Sequence, residues 1–156
     1  MKLLKYTLIL LFSAGIMSCG GGGSDEPEDI EKPKATISSP GNTVTTGENF
    51  NVTFSASDDI GLKSYRVQIS IVNATGMSVK SYQSFSFDSN VNLTDANDES
   101  LPVIAVGDKS ASVNFPISTS FGENTVATKG MYQLTVTVTD TSNKTDSFEK
   151  TFQIQD

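Results

Sequence analysis

From Pro33 onward, apolar residues recur at every second position. In Phe50-Asn51-Val52-Thr53-Phe54-Ser55-Ala56 they take the even positions, and in Tyr65-Arg66-Val67-Gln68-Ile69-Ser70-Ile71 the odd ones. Val113, Phe115 and Ile117 alternate in the same way. So do Tyr132, Leu134, Val136 and Val138, and then Phe148, Phe152 and Ile154. A period of two gives a strand one dry and one wet face, and no stretch beyond Cys19 carries a helical stripe. Turn-forming clusters separate these runs: Pro40-Gly41-Asn42, Asp58-Asp59-Ile60-Gly61, Asn73-Ala74-Thr75-Gly76, Gly107-Asp108 and Asp140-Thr141-Ser142-Asn143. The pattern predicts an all-β antiparallel sandwich.

The middle of the chain is long for such a domain. Over residues 73–112 the pattern predicts a strand at Ser78 to Phe87 and a polar loop at Asp88 to Ser100. It then predicts a hairpin in which Leu101 to Val106 turns at Gly107-Asp108 into Ser110 to Ile117. Loops of this length in compact domains are often functional or mobile. Phe85 and Phe87 share one face and are expected in the core, whereas Tyr82 points the other way, as core or as an exposed contact. Tyr82, with Asp95 and Asp98 of the polar loop, is therefore a candidate binding residue. Asp95-Ala96-Asn97-Asp98-Glu99 has part of a calcium-loop spacing but lacks the central glycine and distant glutamate of an EF-hand.

The first residues read differently. Lys2 and Lys5 precede an apolar run from Tyr6 to Met17, with small residues before the single cysteine, Cys19. A run of twelve residues is too short to span a bilayer core of roughly 30 Å, so a cleaved export signal is expected. Ile16-Met17-Ser18-Cys19 resembles the bacterial lipobox. That resemblance implies removal of residues 1–18 and lipidation of Cys19, which becomes the new N-terminus. At ~0.8 kcal/mol per buried methylene, two or three acyl chains hold a protein on a membrane effectively permanently.

Residues 19–33 then form the acylated cysteine and a tether. Four glycines open it, and Ser24-Asp25-Glu26-Pro27-Glu28-Asp29 is expected to stay solvated and unpacked. Such a tail holds residues 34–156, the sandwich, on the order of 20 Å from the lipid. Glycines and acids after the cysteine resemble the surface-export signal of Bacteroidetes lipoproteins. This implies an outer-membrane location, at the cell surface in preference to the periplasmic face; a spacer with no sorting role is the other reading.

The chain has 11 basic and 18 acidic residues among 156, a net charge of −7. Loss of residues 1–18 removes two lysines and no acid, which makes the remainder more acidic still. Nucleic acid and anionic headgroups need basic surfaces, so neither is expected as a partner. There is no histidine, which excludes an imidazole base, a Ser-His triad and a histidine-ligated zinc. With no tryptophan, a sugar site built on indole platforms is disfavoured.

Two stretches bear a family likeness. Ile37 to Gly47 leads through Phe50 to Ser57 into Asp58-Asp59-Ile60-Gly61-Leu62-Lys63-Ser64-Tyr65. This resembles the opening of bacterial Ig-like modules, with a first strand broken at a proline and a second ending in acids. Gly130-Met131-Tyr132-Gln133-Leu134 looks like a tyrosine corner, with Leu134 where antibody domains place a cysteine. The whole chain is similar to uncharacterised Ig-like lipoproteins of Bacteroidetes. The likeness implies an Ig-like sandwich of about seven strands with an extended middle insertion.

Asp58, Asp59 and Asp140 are the candidate metal ligands. Their turns follow strands expected to run in parallel directions across the two sheets, so three hard oxygens would meet at one end and suit calcium. The same aspartates also shape turns with no ion, through hydrogen bonds to their own backbone. No other cofactor is expected. Ser147-Phe148-Glu149-Lys150 matches the Ser-x-x-Lys pattern of serine acylases, but on a strand its ends face opposite sides. Glycosidase chemistry needs two carboxyls across a cleft, and the acids here sit in turns and the tether. The expected function is non-catalytic: a lipid-anchored envelope protein whose Ig-like domain binds a protein or glycan. A structural or spacer subunit of an envelope assembly is the alternative.

Overall fold

A computed structural model describes residues 28–74, 82–83, 87–91, 101–122 and 125–156. Among them the chain is all-β, with ten strands. These are β1 (Lys34–Ser39), β2 (Thr43–Thr45), β3 (Asn49–Ser57), β4 (Leu62–Ala74), β5 (Tyr82–Gln83), β6 (Phe87–Val91), β7 (Ser110–Ser118), β8 (Val126–Ala127), β9 (Gly130–Asp140) and β10 (Thr145–Gln155). Seven have five residues or more, which matches the expected number; β2, β5 and β8 are short additions.

One sheet has the order β1-β3-β7 and the other β2-β10-β9-β4-β6, while β5 and β8 form a small parallel pair. Lettered in chain order, these are the A-B-E and G-F-C sheets of an Ig-like sandwich, with the first strand divided between them. That division occurs at Pro40, which has no N–H to donate and ends β1. After it, β2 runs parallel to the end of β10, with Val44 opposite Ile154.

Alternation along the strands builds the core. Phe50, Val52, Phe54 and Ala56 of β3, with Val113, Phe115 and Ile117 of β7, face Tyr65, Val67 and Ile69 of β4 and the β9 residues Tyr132, Leu134, Val136 and Val138. Phe54 meets Tyr65 edge to face at 5.1 Å between ring centres. Phe152 lies 5.4 Å from Phe50 and 5.8 Å from Tyr132. Such contacts add to the burial of these rings. Leu134 is fully buried in the position where antibody domains carry a cysteine, so packing replaces the disulfide there.

The tyrosine corner is formed. The Tyr132 hydroxyl donates to the Thr128 carbonyl at 2.6 Å, which satisfies a polar atom on a fully buried side chain.

The middle of the chain differs from its expected form in two places. The polar stretch after Phe87 is not all loop: Phe87–Val91 pairs antiparallel with β4, from Tyr65 opposite Val91 to Ile69 opposite Phe87. A strand at the edge of a sheet is held through its backbone, so a polar sequence does not bar it. Conversely, the hairpin arm expected at Leu101 to Val106 is irregular. It plugs the sandwich instead, burying Leu101 and Ile104 and offering the Pro102 carbonyl to the Tyr65 hydroxyl at 2.5 Å. Burial raises the Tyr65 phenol above its ordinary value and keeps it a donor.

Candidate functional site

Three turns meet at one end of the sandwich, and backbone contacts hold them together. The first follows β3. There the Asp58 carboxylate oxygen Oδ2 accepts the N–H groups of Ile60 at 3.0 Å and Gly61 at 2.7 Å, closing the turn with its own side chain. The second joins β9 to β10. The Asp140 amide donates to the Lys144 carbonyl at 3.0 Å, and the Asn143 amide to the Asp140 carbonyl at 3.1 Å. Asn143 adopts φ 67°, the left-handed residue that a three-residue hairpin loop requires. Asp140 Oδ1 accepts the Lys144 amide at 2.8 Å. The third is the turn at Gly107, with φ +91°.

Gly61 is where they interlock. Its carbonyl accepts from Thr141 at 2.8 Å, while Leu62 exchanges two 2.8 Å bonds with the third turn, accepting from Gly107 and donating to Asp108. A Cβ on Gly61 would lie 2.7 Å from the Gly107 Cα, so only glycine lets the two backbones come this close. The Asp58 amide donates to the Lys109 carbonyl at 3.0 Å, which clamps the turn from its other side.

Into this end comes a fourth segment. Asp29, the last acid of the block expected to remain in solvent, is packed: only 6% of its side chain is exposed. Lys144 draws it in, donating from Nζ to Asp29 Oδ1 at 3.1 Å and also to the Asp29 carbonyl. A neighbouring Ser142 hydroxyl, and after it the Lys144 ammonium, hold the Asp29 carboxyl below its ordinary value, against the opposing effect of burial. Composition could not show this, because Ser142 and Lys144 lie more than a hundred residues further along the chain.

One carboxylate oxygen from each of Asp29, Asp58 and Asp140 lies within 4.8 Å of those of the other two. Asp140 is fully buried and Asp58 is 9% exposed. Among the described residues, each of the three carboxylates has one oxygen without a hydrogen-bond partner: Oδ2 of Asp29, Oδ1 of Asp58 and Oδ2 of Asp140. Of the three aspartates singled out from the sequence, Asp58 and Asp140 are thus brought together. Asp59 is exposed, and the third member of the cluster is Asp29. Cys19, Asp95 and Asp98 lie outside the described residues, as does the Tyr82 side chain. The Tyr82 backbone pairs with Val126.

The Ser-x-x-Lys match dissolves in three dimensions. The Ser147 hydroxyl shares a 2.8 Å hydrogen bond with Thr137. Lys150 turns to the seam between the sheets and donates to the Ser38 carbonyl at 3.0 Å.

No family model and no curated protein matches the chain. Several solved structures resemble it remotely. A DUF4466 family protein from Parabacteroides merdae is 14% identical, with a TM-score of 0.46 over 81% of this chain and 46% of that one. An alkylpurine DNA glycosylase, AlkC, from Pseudomonas fluorescens is 14% identical, with a TM-score of 0.45 over 80% of this chain and 30% of that one. A β-glucosidase from Listeria innocua is 18% identical, with a TM-score of 0.44 over 80% of this chain and 16% of that one. The chain thus spans less than half the length of each. At such identities the likeness carries nothing about chemistry.

Proposed function

We propose that this chain is a non-catalytic, lipid-anchored protein of a bacterial cell envelope, whose Ig-like sandwich binds a protein or glycan beyond the membrane. Cys19 carries the lipid, and the acidic residues that follow lift the sandwich away from the bilayer. The observation that supports a binding face is a pair of exposed apolar side chains on the five-stranded sheet. Val72 sits in an irregularity of the β4–β9 pairing and is 55% exposed; Met131, opposite Asn73, is 48% exposed. Both lie where β4 runs out toward the long middle segment, and solvent-facing apolar residues beside a long insertion suit a contact surface.

Two experiments test this reading. The full chain, probed on a glycan array and used to capture partners from envelope extracts, is expected to retain a ligand. A Val72→Asp, Met131→Asp double variant is expected to lose it. Silence of the unaltered chain in both assays overturns the binding role. For the anchor, Cys19→Ser is expected to move the protein from the membrane pellet to the soluble fraction; continued sedimentation with membranes overturns it.

A further inference from the structure

The three buried carboxylates present an unmet electrostatic demand. Asp29, Asp58 and Asp140 bring three negative charges to one end of the sandwich, and Lys144 brings one positive charge. Buried charges persist when they are paired or coordinated, and one oxygen on each carboxylate is neither. The other oxygen is already taken in every case. Backbone amides hold those of Asp58 and Asp140, and the Lys144 ammonium that of Asp29. Each carboxylate is therefore fixed in orientation with its free oxygen unfilled.

We propose that these three aspartates bind a calcium ion, and that the ion fastens the tether to the sandwich through Asp29. All donors are carboxylate oxygens, which suit hard cations. Calcium–oxygen bonds run ~2.3–2.6 Å, so ligands on opposite sides of one ion stand up to about 5 Å apart, and the 4.8 Å limit on this cluster falls within that reach. Magnesium needs shorter bonds and a stricter octahedron. Calcium also tolerates a site completed by water and nearby carbonyls.

The chain positions of the ligands give the site its consequence. Asp58 and Asp140 belong to turns that the fold already clamps together. Asp29 lies ahead of β1 and is not part of any strand. An ion bridging all three adds to the Lys144 contact a direct link from that segment to both turns, and so sets how the sandwich is presented on its tether. This consequence rests on the proposed membrane anchor; the ion site itself does not.

The test uses the full chain in detergent, stripped with chelator and then titrated with calcium chloride alone. Calorimetry is expected to show one site. Saturating calcium is expected to raise the melting temperature by about 5 °C or more, since an ion that binds only the folded state stabilises it. Asp29→Asn alters no strand and is expected to keep the chelated melting temperature while weakening calcium at least tenfold. Asp140→Asn is expected to weaken it likewise. In a second readout, calcium slows cleavage by a glutamate-specific protease at the exposed Glu28 and Glu31 in the unaltered chain but not in Asp29→Asn. Absence of both heat and melting shift overturns the site. Unchanged calcium affinity in Asp29→Asn overturns the fastening of the tether. Neither result bears on ligand capture or on membrane sedimentation, so failure here is distinguishable from failure of the proposed function.

Discussion

At the first end of β9, the Tyr132 hydroxyl donates to Thr128, and nearby Thr119, fully buried, donates to the Glu48 carbonyl at 2.8 Å. At its last residue, Asp140 is just as deeply buried, yet among the described residues one of its oxygens meets no donor, and Asp29 and Asp58 beside it each have one such oxygen. The eleven residues of one strand thus join an end whose buried hydroxyls are matched to an end whose buried carboxylates are matched on one oxygen only. A satisfied buried group holds a fold together and needs nothing more. Three carboxylates gathered in one place, each with one oxygen unmet among the described residues, are what the proposed calcium ion would answer. The difference separates polarity that the fold itself satisfies from polarity that it leaves open.

The largest effect belongs to the packed end. Leu134→Ala removes a fully buried side chain beside the tyrosine corner and is expected to cost about 2–5 kcal/mol, equally with and without calcium. Denaturant unfolding in chelator and in calcium measures both; a calcium-dependent loss would mean that the two ends are coupled through the core. Next comes Gly61→Ala, which forces the turns around the aspartates apart and is expected to cost ~1–3 kcal/mol. Because it displaces Asp58, its cost should be larger in calcium than in chelator, and equal losses would detach the turn from the ion.

Tyr132→Phe leaves the Thr128 carbonyl without its donor, for an expected loss of about 1–2 kcal/mol. Thermal melts should show the same loss in both buffers, and a calcium-dependent change would blur the distinction between the ends. The smallest effect is the most diagnostic. Asp29→Asn removes one of three crowded like charges, so in chelator the melting temperature should hold or rise slightly, whereas in calcium it should fall below that of the unaltered chain. A fall in both buffers would make Asp29 an ordinary structural contact.

Much of this was legible in the residues. The period-two runs marked β3, β4, β7, β9 and β10, because strands with one buried face must alternate. Tyr132, two residues before Leu134, announced the corner, and the acids after two strands that run in parallel directions pointed to Asp58 and Asp140 as neighbours. Asp29 was not legible. It stands in an acidic, glycine-led stretch whose composition reads as solvated, and only the approach of Lys144 makes a buried position available to it. The plug at Leu101 and Ile104 was missed for a related reason: an apolar segment shows no period when single side chains, and not a face, are what it buries.

Alternation and turn chemistry by themselves determined two layers of strands with polar turns, since these depend on neighbours in the chain. Which turns share an end, which carboxylate completes the trio and where a lysine can reach were decided only by the folded body. Charges act through space, and the distances between Asp29, Asp58 and Asp140 exist only once the sheets have closed.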